Sequence, residues 1–340
     1  MKTRYGKAIH PAKFQTDILS DLRAYHELMK RRAQKYAKQA KTKVDSCYIC
    51  GSKRLSKPFV RVYGFDYVRC LNCSHVFTAK RLSQRQLHLF YQESEEYART
   101  YTSTYQIQYR LKHVAKPKVD FVMQYAKKLK RGLWLDVGSG IGDIVKCVDT
   151  YPTWKGTGLE ISKSSVATGK KVFKIDLRQE LFKNFLQINP RPRYDVISFF
   201  GYLEVVANPM EVLRLARQLL RSKGIVVVGE ANAFSFSTIL QQSFPDLSMR
   251  HLLPPTVIQQ FTKQSAIEAL KRTGFRPIAY WNFGLDFYEF VKFLCLSINN
   301  FQASPVYTFL MSHLNRFQHV IDRKAMGDNF ILVARPSHDY

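Results

Sequence analysis

From Gly132 onward, short apolar runs alternate with segments whose apolar residues recur every three or four positions, the pattern of strands joined by helices. Leu133–Val137, Thr157–Glu160, Val172–Ile175, Tyr194–Phe200, Ile225–Glu230, Arg276–Trp281 and Asn329–Ala334 read as strands. Helices are expected from about Asp143, from Pro209 through Leu220, and over Ser265–Thr273, where Gly274 supplies a stop. Such an alternation predicts an α/β chain with a mostly parallel sheet buried on both faces. Upstream, Phe14, Ile18, Leu22, Tyr25, Met29 and Tyr36 stand at three-to-four spacing and predict one long amphipathic helix. The stretch from Leu82 to about Lys130 reads as helical and aromatic, a segment expected to cover a ligand pocket.

The junction of the first strand with its helix carries the clearest chemistry. Leu135-Asp136-Val137-Gly138-Ser139-Gly140-Ile141-Gly142 places glycine at three alternate positions, where a Cβ would block close approach of a ligand to the backbone. Eighteen residues after Gly142, Glu160 ends the second strand and suits a ribose hydroxyl pair as a bidentate acceptor. A dinucleotide turn would carry its third glycine one residue later, where this chain has Asp143, and a carboxylate there repels a pyrophosphate. Asp136 instead suits a cationic ligand without phosphates. S-adenosylmethionine, with an ammonium, a sulfonium and a ribose, meets those conditions. Asp176, at the end of the third expected strand, could accept from the adenine amine while Leu177 packs on the ring; capping the next helix is its other reading. Phe200 closes the fourth strand and belongs to a Phe-rich wall fit for adenine and substrate.

The formal net charge of +27 directs association toward anions without choosing among nucleic acid, acidic membrane surface and phosphorylated small molecules. Its densest part is the first 43 residues, with twelve Lys and Arg against Asp17, Asp21 and Glu27. That helix is either docked on the body of the protein or an arm for an anionic partner. Met1-Lys2-Thr3-Arg4-Tyr5 begins no secretory leader, and Phe287–Ile298, interrupted by Glu289 and Lys292, is too short to span a bilayer. A soluble, cytoplasmic protein is therefore expected.

Cys47-x-x-Cys50 and Cys70-x-x-Cys73, nineteen residues apart, have the spacing of a zinc ribbon in which two knuckles converge on one tetrahedral Zn2+. A disulfide pair and a rubredoxin-like iron are the alternatives. Cys147 and Cys295 read as isolated thiols, and His75 is surplus to a closed four-sulfur site.

The Asp136-x-Gly138-x-Gly140-x-Gly142 turn, with Glu160 after it, resembles the first motif of the class I SAM-dependent methyltransferases. The resemblance extends from about Cys47 to Pro336: Tyr194-Asp195-Val196-Ile197, Leu203-Glu204, Pro209, a Leu-rich helix, Gly224, and a strand running into Ala231-Asn232. It implies a Rossmann-like sheet with the last strand antiparallel, preceded by a basic helix and a small zinc ribbon. It also implies S-adenosylmethionine and structural zinc as cofactors, and a sugar, nucleotide-sugar or other small metabolite as acceptor. The corresponding divisions are a basic helical extension (1–43), zinc ribbon (44–80), helical cap or linker (81–130) and methyltransferase domain (131–336). Within the last, 282–328 is an insertion expected to form a helical cap over the acceptor or an oligomer contact.

Two departures remove titratable groups. Val205 stands where the resemblance has a histidine after Leu-Glu, and Pro254-Pro255-Thr256-Val257 lacks the histidine of the related P-P-x-H segment. Glu204 and His251 remain as candidate bases, each with a structural alternative, Glu204 as a helix N-terminal acid and His251 as a packed or surface residue. Methyl transfer to O or C of a small or medium acceptor is the leading expectation, since positioning alone accelerates it. An RNA methyltransferase is the second, although Phe200-Gly201-Tyr202-Leu203 lacks the Pro-Pro-aromatic motif that holds a base amine. A SAM-binding or partner-binding protein without catalysis is the third.

Overall fold

Side chains alternate across a strand, so a strand buried on both faces must be apolar at nearly every position. Tyr194–Phe200 meets that demand and lies at the middle of the sheet. The computed structural model describes residues 1–7, 21–93, 104–126, 131–188, 191, 193–248 and 250–337. Its central sheet contains β1 (Lys2–Tyr5), β2 (Gly132–Val137), β3 (Trp154–Glu160), β4 (Leu177–Gln179), β5 (Tyr194–Phe200), β6 (Leu220–Ala231), β7 (Phe275–Phe283) and β8 (Asn329–Pro336). The order is β4-β3-β2-β5-β6-β8-β7-β1. All neighbours run parallel except β8, which is antiparallel to β6 and β7. One apolar cluster takes Leu135, Val137, Ile197, Phe199, Val226 and Val228; the other takes Trp134, Val196, Ile225 and Val227. The order reverses direction between β2 and β5, and the crevice beyond their carboxyl ends is where an open parallel sheet receives a ligand.

Two strands depart from the sequence reading. Val172 and Phe173 end the helix Lys163–Phe173, which Lys174 closes in the left-handed conformation at φ 53°, so the third parallel strand is Leu177–Gln179 and starts after Asp176. The periodic apolar run V-F-K-I imitates a strand, but its first half packs as a helical last turn. Lys2–Tyr5, within the expected basic helix, instead adds a parallel strand to the edge of β7, with every residue exposed and hence no apolar signature.

Helix α1 (Leu22–Ala37) is the described part of the basic amphipathic segment; Phe14 and Ile18 lie outside the described residues. Asp21 caps it by accepting from the Ala24 amide at 3.0 Å, and Leu22, His26, Met29 and Ala33 form its buried stripe. The helix docks: His26 Nε2 lies 3.1 Å from the Tyr63 hydroxyl and 2.7 Å from the Asp246 carbonyl. Arg31, Lys35 and Lys38 face solvent.

The cysteine segment forms antiparallel strands Val60–Val62, Phe65–Arg69 and Val76–Thr78. Gln259–Gln260, far along the chain, adds a fourth. Helix α2 (Gln84–Gln92), opened by a Ser83–Gln86 capping box, and helix α3 (Lys116–Ala126) follow. Helix α4 (Asp143–Val148) begins directly after the glycine turn. Late in the chain lie the helices α5 (Asp286–Ser297), α6 (Pro305–Ser312) and α7 (Leu314–Arg323). No described helix is long and apolar enough to cross a membrane.

Candidate active site

At the carboxyl end of β2, Gly138, Gly140 and Gly142 all adopt positive φ, at 74°, 56° and 85°. Two of them are also sterically constrained. A Cβ on Gly138 would stand 2.5 Å from the Tyr202 ring, and one on Gly142 would stand 2.3 Å from Ile175 Cδ1. The turn thus carries the backbone close beneath the end of the sheet and into α4.

Glu160, at the end of β3, faces this turn. Its carboxylate accepts from the amides of Gly140 at 2.9 Å, Ile161 at 2.7 Å and Ser162 at 2.8 Å. Burial raises its pKa, and those three amides oppose the rise. Beside it a cavity of about 210 Å³ is lined by Ile161, Glu180 and Leu181 of the sheet ends and by His88 and Gln92 of α2. An acid and an apolar residue therefore do follow β4, at Glu180 and Leu181. Asp176 lies before β4, where it accepts from Thr157 Oγ1 at 3.0 Å and pairs with Arg178 at 3.3 Å. Leu177 is buried beneath the glycine turn, against the positions where Cβ atoms on Gly142 and Gly158 would stand. The strand boundary is the signal that separates the two acid-leucine pairs.

A second cavity, of about 70 Å³, brings Asp136 and Gly138 together with Phe200, Asp143, Lys118 and Arg110. Asp136 is buried and accepts from Ser198 Oγ at 2.5 Å; Ser198 Oγ in turn accepts from Trp134 Nε1 at 2.7 Å. Desolvation pushes the Asp136 carboxyl up to about 7, with Asp143 adding to the rise and Ser198 and Lys118 opposing it. Lys118 lies 5.0 Å from the Phe200 ring centroid, and burial lowers its pKa. Two acids and two bases around one small cavity can hold a zwitterionic ammonium and carboxylate. Lys118 and Arg110 carried no local motif; α3 places Lys118, and the helix Thr104–Arg110, joined to α3 by a turn of π-helix (Leu111–Ala115), places Arg110.

The turn after β5 is held from three sides. Glu230 of β6 accepts from the amides of Tyr202, Leu203 and Glu204, at 3.3, 2.9 and 3.2 Å. Glu204 reaches back to the Ala231 amide at 3.0 Å, and the following helix starts only at Pro209, so Glu204 is not a helix N-terminal acid. Burial pushes Glu204 up to about 6 and Glu230 higher still, with Glu204 adding to the latter. The third support is Gln259, whose Nε2 donates to the Leu203 carbonyl at 2.8 Å and the Val206 carbonyl at 2.6 Å. Its Oε1 lies 3.0 Å from His75 Nε2. With both amide protons directed at carbonyls, the Gln259 oxygen accepts and His75 donates from Nε2. Sequence reading missed this link because the partners come from three distant segments.

His251 is not among the residues lining either cavity. It is buried, with Nε2 at 3.2 Å from Ser235 Oγ and 2.9 Å from Thr238 Oγ1, at the start of the helix Phe236–Ser243. Burial, then Arg250, lowers its pKa to about 3, so the ring is neutral at physiological pH. Val257 is buried beside the cysteine module, its carbonyl accepting from the Tyr67 hydroxyl at 2.6 Å.

The four sulfurs of Cys47, Cys50, Cys70 and Cys73 lie within 4.8 Å of one another, with Cys47–Cys73 and Cys50–Cys70 both at 3.5 Å. A disulfide requires about 2.05 Å, and none of the four is bridged. Zn–S bonds of about 2.3 Å give tetrahedral edges of about 3.8 Å, which these separations approach. The two loops repeat one geometry: Gly51 and Ser74, each following the second cysteine, have φ of 74° and 63°, and their amides donate to the Cys47 and Cys70 carbonyls at 2.8 and 2.9 Å. His75 turns away to Gln259.

A family model described as a methyltransferase domain matches residues 105–280. No curated protein matches the chain. Among solved structures, it is similar to a SAM-dependent methyltransferase of Archaeoglobus fulgidus, with 14% identity over 68% of this chain and 100% of that one at a TM-score of 0.45. It is also similar to the 1,6-didemethyltoxoflavin-N1-methyltransferase of Burkholderia thailandensis, with 11% identity over 78% of this chain and 97% of that one at a TM-score of 0.46. Since the family match spans more than half of the sequence, the chain belongs to the methyltransferase-domain family, within the class I SAM-dependent methyltransferases.

Proposed function

We propose that this methyltransferase binds S-adenosylmethionine along the Gly138–Gly142 turn and transfers its methyl group to O or C of a small or medium acceptor. The acceptor class would be a sugar, a nucleotide-sugar or a natural-product intermediate. One observation carries the reading: Asp136, the three left-handed glycines and Glu160 converge at the carboxyl ends of β2 and β3, beside the switch of strand order. Glu160 would hold the ribose, Ile161 and Leu181 the adenine with Glu180 as acceptor for its amine, and Asp136 with Lys118 the amino-acid end. Bound there, the cofactor supplies an electrophilic methyl on a sulfonium. The chain's own contribution is to orient that end against the Tyr202–Val206 turn. Glu204, whose carboxyl burial raises to about 6 and which is therefore ionised but more basic than usual above that pH, is the candidate to take an acceptor proton.

Zn2+ in the four-cysteine cluster would be structural, because four thiolates complete a tetrahedron and leave no open position. Calorimetry with S-adenosylhomocysteine tests the cofactor site: binding is expected, and Gly140→Arg should abolish it. Absence of binding, or full affinity in the variant, overturns the assignment. RNA is the second acceptor reading, favoured by the exposed Arg31, Lys35 and Lys38 on the outer side of α1. RNA binding would weaken steeply with added salt, and its absence at low salt rejects that reading.

A further inference from the structure

The face built by α6 and α7 serves neither cavity. From Ser297 to Asn315 the chain has no Asp, Glu, Lys or Arg, and within that stretch α6 has not one buried residue. Val306 and Phe309 are each 55% exposed, Phe317 37% and Val320 62%. Their spacing of three and four continues across the helix junction through His313, whose ring lies 4.5 Å from that of Phe309. On α7 the opposite stripe, Leu314, Gln318 and Asp322, is buried, so Val320 belongs to the outer face, with Phe317 at its edge, stacked on Phe287 of α5 at 4.5 Å.

Within residues 290–327 every exposed charge is a base, whereas on neighbouring α1 the acids Asp21 and Glu27 are also exposed. Arg316, Arg323 and Lys324 are exposed, while the only carboxylate between residues 290 and 327, Asp322, is buried. At the start of α1, Arg23 reaches Asn299 at 3.2 Å and adds a further base beside the stretch. An exposed apolar helix flanked by bases is the composition of an interfacial membrane contact: apolar side chains enter the acyl boundary and bases meet anionic headgroups. A second copy fits less well, since the same face would bring bases to bases without a carboxylate between them in a chain of net charge +27. Nucleic acid would meet an apolar centre in place of donors.

We propose that α6 and α7 form a membrane-docking face that seats this chain on an anionic bilayer. The test is co-sedimentation of the full chain with phosphatidylglycerol/phosphatidylcholine vesicles and with pure phosphatidylcholine vesicles. Partition into the anionic vesicles is expected, falling with salt. Phe309→Asp with Val320→Asp should lower it at least tenfold, and Arg316→Glu, Arg323→Glu and Lys324→Glu together by about a hundredfold, at about fivefold or more per base. S-adenosylhomocysteine affinity, remote from these positions, should stay unchanged in both variants and shows that they fold. The proposal is overturned if the parent chain stays in the supernatant, or if the variants sediment as it does. It is equally overturned if sedimentation equilibrium shows a dimer that the Asp variant dissociates, because the face is then an interface between copies.

Discussion

The glycine turn and the turn after β5 stand side by side at the sheet's carboxyl end, but they are built in opposite ways. The first is local. Asp136 through Glu160 supplies the strand, the three left-handed glycines and the carboxylate that locks onto the Gly140 amide. The second borrows its rigidity from elsewhere: Glu230 holds three amides of Tyr202–Glu204, and Gln259 holds two carbonyls while anchoring to His75 of the cysteine module. On the proposed reading, a cofactor common to a whole class of reactions would be met by short-range backbone geometry. The neighbouring turn, where an acceptor would lie, draws its support from a separate module and meets the glycine turn where Tyr202 packs over Gly138.

The largest expected effect separates the two regions by removing the module's centre. Cys70→Ala should abolish binding of one zinc per chain, because metal binding supplies about 10–16 kcal/mol in small zinc modules. Since Val76–Thr78 pairs with Gln259–Gln260, hydrogen exchange should accelerate at 257–261 and 203–206 while protection at 136–142 is retained. Equal loss at both ends would show that the two turns are one cooperative unit.

Next in size is the reverse test. Gly138→Val forces a β-branched residue into φ 74° and drives its Cβ against Tyr202. Left-handed strain of about 1–2 kcal/mol with overpacking of about 1–3 kcal/mol should weaken S-adenosylhomocysteine binding by about a hundredfold. Zinc content should be unaffected, and a chain that also lost its metal would contradict the separation.

Gln259→Leu is a smaller and more local cut. It leaves the Leu203 and Val206 carbonyls and His75 without their shared partner, and each buried orphan costs about 1–3 kcal/mol. Denaturant unfolding should show a loss of about 3 kcal/mol or more, with cofactor affinity within twofold. Gln259→Glu should be worse than Gln259→Leu, because a buried carboxylate would face two carbonyl oxygens. Equal stability of the parent and Gln259→Leu would show that the link carries no load.

This contrast also explains what the sequence made legible. Asp136, the glycines, Glu160 and the cysteine pairs are short-range patterns visible without tertiary context, and the strand alternation points to the α/β class. Val172–Ile175 misled because a helix end and a buried strand share the same apolar content; the bases Lys170 and Lys171 and the left-handed Lys174 mark a helix C-terminus instead. That shift moved the acid-leucine pair at the strand end from Asp176-Leu177 to Glu180-Leu181. Gln259 and His75 were beyond reach for another reason: a buried polar side chain is defined by partners remote in sequence. Lys2–Tyr5 was missed as a strand because an edge strand with four exposed residues has no hydrophobic period.

The smallest effect is a pH dependence confined to the cofactor end. An aspartate in the unfolded chain titrates near 3.9, whereas burial holds Asp136 at about 7. Between those values the folded protein binds a proton that the unfolded chain has lost, so Asp136 makes stability fall as pH rises from about 4 to about 7. A ligand ammonium reverses the preference by favouring the carboxylate. Binding below pH 7 should therefore expel a proton from Asp136, and affinity for S-adenosylhomocysteine should rise about tenfold between pH 6 and pH 8. The rise can be told apart from titration of Glu204, which lies at about 6 beside Glu230 and the turn after β5. Asp136→Asn should flatten the profile and remove the buffer-dependent heat of proton release, whereas Glu204→Gln should leave both intact. A parent profile already flat would mean that Asp136 does not meet the ligand's charge, and the cofactor's amino-acid end would have to be reassigned to Asp143 or Glu230.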